Sequence, residues 1–151
     1  MNRALVVVTD TDRSDRILRE AGDIVAGNGA ELVLLSVTPT EEYERTQDAV
    51  AAIGSSDVVY TIEQAEESAT RKLKKAASRA FDGRDVDYHT KVVFGRKVDS
   101  ILDVADAYGC DHLFIGGRRR SPTGKALFGD LTQQVLLSFD GPVTVLLGDE
   151  E

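Results

Sequence analysis

Five short apolar runs punctuate this chain, and between them apolar residues recur at three- and four-residue spacing. Ala4 to Val8 (ALVVV), Glu31 to Val37 (ELVLLSV), His112 to Ile115 and Val143 to Leu147 (VTVLL) are nearly unbroken. Unbroken runs rich in β-branched residues are the pattern of strands covered on both faces, as in a parallel sheet. Val86 to Phe94 (VDYHTKVVF) alternates before turning apolar, as a strand near a sheet edge does. Helical spacing joins Ile17, Ala21, Ile24 and Val25, and Gly27-Asn28-Gly29 stops that helix. A longer helix spans Thr61 to Phe81, with Ile62, Ala65, Ala69, Leu73, Ala76 and Ala80 on one face, and Asp82-Gly83 ends it. Gly95 turns the chain into a helix lined by Val98, Ile101, Leu102, Ala105 and Tyr108 and capped by Gly109. The last helix begins near Gly129, and Gly141-Pro142 leads into the closing strand. Residues 40–60, after Pro39, are acidic, then small and apolar, then Gly-Ser-Ser; they read as a variable excursion with one short helix.

Five strands alternating with about four helices predict one α/β domain built on a parallel sheet, with right-handed crossovers. Its expected extent is residues 1–148, with 149–151 as an acidic tail. Ligands of such sheets sit beyond the carboxyl ends of the strands, where the strand order reverses. Asp10 and the loop after Ile115 both lie at that end. The stretch from Asp111 to Phe139 (DHLFIGGRRRSPTGKALFGDLTQQVLLSF) is therefore the chemical centre of the chain. It takes a buried strand through a glycine-bearing basic loop into a helix N-terminus, a common cradle for phosphate.

Charge narrows the partners. A length of 151 residues suits one domain with a real core. The net charge of −8 repels a phosphate backbone, so nucleic acid is not an expected partner. Lys72, Lys74, Lys75 and Arg79 read as the solvated face of their helix. Cys110 is the single cysteine, which rules out an internal disulfide framework. No stretch has the length of a membrane span, and the first residues run into a strand without a signal-peptide pattern. The expectation is a cytoplasmic protein with no membrane contact.

Catalytic constellations are scarce. Cys110 and His112 have no second pair with which to complete a zinc site, and His89 falls alone in a strand pattern. Ser121-Pro122-Thr123-Gly124-Lys125 imitates a P-loop. Arg119, however, stands where the first glycine belongs, and Ala126 replaces the hydroxyl residue after the lysine. A receiver domain would need an acid at the end of its third strand, which here closes Val93-Phe94-Gly95.

The chain resembles the universal stress protein family over essentially its whole length. VVVTDTDRSDRILREA is similar to the family's opening strand, acidic turn and small-residue helix. VVFGRKVDSILDVADAYGCDHLFIGGR resembles the segment leading into its nucleotide loop, and GPVTVLL its closing strand. The resemblance implies a doubly wound, Rossmann-like α/β fold with a five-stranded sheet in order 3-2-1-4-5. It also implies a homodimer through the last strand, Val143 to Leu147. An apolar terminal edge strand independently invites such pairing.

ATP-binding members of that family carry Gly, two residues, Gly, nine residues, then Gly followed by Ser or Thr. Gly116 and Gly129 match; Arg119 and Asp130 depart. By resemblance the nucleotide site comprises Thr9, Asp10, Val37, Gly116, Gly117, Arg118, Arg119, Lys125, Gly129 and Asp130, with Asp10 and Val37 at the adenine. An arginine at 119 loses the freedom of glycine but can bind phosphate through its guanidinium. Asp130 brings negative charge to the phosphate end, and with Gln133 it matches a helix-capping box, an N-cap needing no anion. Two readings follow. One is a regulatory protein that binds an adenine nucleotide, ATP, with Mg or Mn only alongside the nucleotide, and is no enzyme. The other is a dimeric stress-response or interaction module whose degenerate phosphate loop has lost the nucleotide.

Overall fold

The computed structural model describes residues 1–8, 11–38, 62–118 and 129–148. In chain order the elements are β1 (Arg3–Val7), α1 (Thr11–Asn28), β2 (Glu31–Thr38), α2 (Ile62–Ala80) and β3 (Tyr88–Phe94). α3 (Lys97–Ala107), β4 (His112–Arg118), α4 (Asp130–Ser138) and β5 (Val143–Gly148) complete them. All the strand pairings are parallel, and the sheet order is β3-β2-β1-β4-β5. The parallel α/β sheet expected from the pattern is observed, in the doubly wound order that the resemblance implies. The excursion expected at residues 40–60 lies outside the described residues.

Strand alternation divides the core into two layers. Ala4, Val6, Leu32, Leu34 and Phe114 face α1 and α2, whose Leu18, Ala21, Val25, Leu73 and Ala77 close over them. Leu5, Val33, Leu35, Leu113 and Ile115 face the other way, onto Ile101 and Val104 of α3 and Val135 of α4. β1, β2 and β4 are apolar on both faces because helices cover both. β3 at the edge keeps the alternation of half-buried Tyr88 and Thr90 with exposed His89 and Lys91. Burying an aliphatic side chain of this size is worth about 1.5–3 kcal/mol, so these central strands hold most of the fold's driving force.

Several expectations need correcting. Ile24 does not share the buried face of α1; it is 38% exposed, and Leu18, fully buried, takes part in its place. The third strand starts at Tyr88 rather than Val86, although Val86 still packs against the core. β4 does not stop at Ile115. It carries on through Gly116 and Gly117 to Arg118, so both glycines are strand residues and not part of a loop. The cations at 72, 74, 75 and 79 are exposed as expected, and Arg79 pairs with Asp15 of α1 at 3.1 Å.

Candidate functional site

The strand registers open a notch at the carboxyl edge of the sheet. β1 ends at Val7, which pairs with Leu35 of β2, while Val6 pairs with Phe114 of β4. β2 runs on past Leu35 through Ser36, Val37 and Thr38, held by β3 up to Thr38 opposite Phe94. β4 runs on past Ile115 through Gly116, Gly117 and Arg118, held by β5 alone. At about 3.3 Å per residue and about 4.8 Å per strand spacing, the notch among the described strands is about 10 Å deep and 10 Å wide. It lies beyond the end of β1, between β2 and β4, beside the β1/β4 boundary where the strand order reverses, which is where open α/β sheets bind ligands.

The expected site residues divide around this notch. Val37 stands on the β2 side, half-buried and packed on the layer that includes Leu35 and Ile101. Gly116 and Gly117 stand on the β4 side, followed by Arg118, whose backbone completes the strand. Gly129 and Asp130 open α4. Thr9, Asp10, Arg119 and Lys125 lie outside the described residues. Chain order puts Thr9 and Asp10 between Val8, whose N–H donates to the Leu35 carbonyl at 2.8 Å, and the start of α1.

The capping expectation for α4 is wrong. Gly129 is the N-cap, with extended backbone (φ −68°, ψ 165°), and no side chain caps the helix. Its carbonyl accepts the first helical bond from the Gln133 N–H at 3.0 Å. Asp130 is the first helical residue, exposed, and acts on the helix through charge: an acid in the first turn complements the positive end of the dipole.

Among the described residues, three buried hydroxyl residues, Ser14, Ser100 and Thr132, escaped the sequence reading, and two of them bear on this end of the sheet or on α1. Thr132, 4% exposed, donates from Oγ1 to the Gly116 carbonyl at 2.8 Å, joining the first turn of α4 to the overhanging part of β4. Ser14, 2% exposed in the first turn of α1, has no hydrogen-bond partner for its Oγ among the described residues. The available signal for Ser14 and Thr132 was position: each is a hydroxyl residue three before a buried aliphatic, Ile17 and Val135, on an otherwise apolar stripe.

The remaining titratable cluster belongs to the opposite, amino end of the sheet. The Asp111 carboxylate accepts the Asn2 N–H at 2.9 Å, which holds its pKa below the usual value. His112 Nε2 lies 2.8 Å from Thr144 Oγ1, and burial lowers its pKa. Burial pushes the Cys110 thiol up to about 11, so it is a packed thiol and not a thiolate ligand. Among the described residues no group of His, Cys, Asp and Glu could hold a metal ion, and no helix is long and apolar enough to cross a membrane.

The comparisons agree with this geometry. The profile of the Universal stress protein family matches residues 1–146. Among solved structures, the hypothetical protein MJ0577 superposes with a TM-score of 0.73 at 17% identity, covering 99% of this chain and 98% of its own. A universal stress protein in complex with cAMP gives 0.58 at 21% identity, with 97% and 98% covered. One from Archaeoglobus fulgidus in complex with dAMP gives 0.57 at 18%, with 96% of each covered. No curated protein matches the chain. A profile match over almost the whole length, on a sheet with the expected order, settles the lineage: the chain belongs to the universal stress protein family.

Proposed function

We propose that this protein binds an adenine nucleotide, ATP, in the notch beyond β1, between β2 and β4, and works by binding rather than by turnover. The observation that carries this reading is a pair of glycines that no described residue crowds. Among the described residues, a Cβ on Gly116 would meet nothing nearer than the Leu146 carbonyl oxygen at 3.9 Å, and one on Gly129 would meet nothing within 4 Å. Neither residue has positive φ. Gly27 is equally open on the surface of α1, so space alone marks no site. Gly116 and Gly129 differ in lying at the carboxyl end of the sheet, where Thr132, three residues after Gly129, bonds the Gly116 carbonyl. Glycine there leaves backbone N–H groups open to a close-approaching phosphate.

Relatives whose structures hold cAMP and dAMP support adenine as the base. In this reading Asp10 and Val37 hold the base, and Gly116, Gly117, Arg118, Arg119, Lys125 and the Gly129 turn surround the phosphates. Asp130 opposes the phosphate charge, so a Mg or Mn ion accompanying the nucleotide would ease binding. The second reading, a dimeric interaction module without nucleotide, draws on the same Asp130, because an acid in the first turn already offsets the helix dipole there. Both readings include a homodimer paired through β5. Calorimetric titration of ATP, with and without Mg or Mn, separates them. Binding heat is expected; no heat at high micromolar protein overturns the first reading and leaves the second.

A further inference from the structure

The geometry points to Thr132 as a positioning residue of the nucleotide site, acting through the carbonyl of Gly116. The inference rests on the nucleotide reading and adds to it a residue that acts through another. β4 beyond Ile115 has lost β1 as a neighbour and is paired only with β5. An overhang held on one side is free to twist, and twist at Gly116 would re-aim its N–H, which faces the open side because the Leu113 N–H, three residues earlier, bonds the Pro142 carbonyl on the β5 side. The 2.8 Å bond from Thr132 Oγ1 supplies a second attachment, from above the sheet. It comes from the third residue of α4, three positions after the Gly129 N-cap. One hydroxyl therefore sets the separation between the two glycine positions at which the chain leaves for, and returns from, residues 119–128. A ligand that must touch both ends gains affinity when that separation is preset, because binding then has less to order.

Burial supports the assignment. Thr132 is one of three polar residues buried among the described residues, and its hydroxyl has a single recorded partner, the Gly116 carbonyl. Thr132 is 4% exposed, and its hydroxyl makes the tie. Valine reproduces the shape without the donor, and serine keeps the donor without the methyl. The pair therefore separates positioning from packing.

ATP is titrated into the wild-type protein, Thr132→Val and Thr132→Ser, and each is unfolded in urea. The expected result is about fivefold weaker ATP binding in Thr132→Val, the usual worth of one neutral hydrogen bond, with Thr132→Ser within about twofold of wild type. Equal affinity in the wild type and Thr132→Val, whatever their stabilities, overturns the proposal. Weakening in Thr132→Ser as large as in Thr132→Val also overturns it, because packing would then be the cause. Should Thr132→Val fail to fold, Thr132→Ala is compared with Thr132→Ser, and affinity in Thr132→Ala equal to wild type overturns the proposal; if it too is unfolded, the side chain serves stability and the proposal falls. A silent wild-type titration instead overturns the nucleotide reading itself.

Discussion

Single residues set the sign of two responses. Asp130 opens α4 with no hydrogen bond to its own helix, so its effect is electrostatic: it stabilises the helix and repels an anion at the same N-terminus. Asp130→Ser should tighten ATP about two- to fivefold, the range of one charge at a helix end, and slightly lower the urea midpoint. Unchanged or weaker ATP binding would show that this carboxylate does not face the phosphates. His112 governs a pH response. Burial holds its pKa below 6.5, so the unfolded chain takes up the proton first as pH falls. Its contribution is therefore whole above 6.5 and is lost as pH drops through the lowered folded value. Asp111 loses its contribution only below 3.8, because its carboxylate form is the one the fold favours. Urea midpoints measured from pH 7.5 to 5 should decline, and His112→Gln should flatten that decline. An equal slope in the variant would assign the response to another group.

At the scale of elements, the ends of helices and strands divide what the sequence reveals from what it hides. α3 ends as its glycine suggests. Gly109 has φ +64°, its N–H donates to Asp106 and the Cys110 N–H donates to Ala105, a Schellman arrangement that satisfies the last carbonyls. Gly109→Ala should cost about 1–2 kcal/mol in urea unfolding, the penalty of an L side chain in left-handed backbone; no loss would mean that the turn relaxes to negative φ. Buried strands were equally legible, because coverage on both faces leaves an unbroken apolar run. The extension of β4 was not, since Gly116, Gly117 and Arg118 carry no apolar signal and are strand only because β5 pairs with them. The α4 cap was misread for a similar reason: Gly129 and Asp130 are both acceptable N-caps, and the helical register chose the glycine. Thus Val37, Gly116, Gly117 and Gly129 could be placed at the carboxyl end of the sheet from sequence. Thr132 and Ser14 were hidden, because a hydroxyl on an apolar stripe looks like a polar interruption until its burial is known.

For the molecule as a whole, charge opposes both compaction and self-association. The chain carries 26 acids against 18 Lys and Arg, and its ion pairs Arg3–Glu31, Arg79–Asp15 and Arg84–Asp23 are part-exposed. Exposed pairs of this kind contribute about 0–1 kcal/mol each and do not cancel the excess. Pairing two copies through β5 brings two charges of −8 together. Raising NaCl from 0.1 to 1 M shortens the screening length from about 10 Å to about 3 Å. Self-repulsion within one chain and between two should fall together. The expected outcome is a higher thermal midpoint in 1 M salt and, in sedimentation equilibrium, a dimer fraction that grows with salt at fixed protein concentration. The two readouts separate the claims. A rising midpoint with a monomer at both salts would dismiss pairing through β5 and keep the charge argument. A dimer that dissociates in high salt would mean that opposite charges hold the interface, which the apolar run Val143 to Leu147 does not supply.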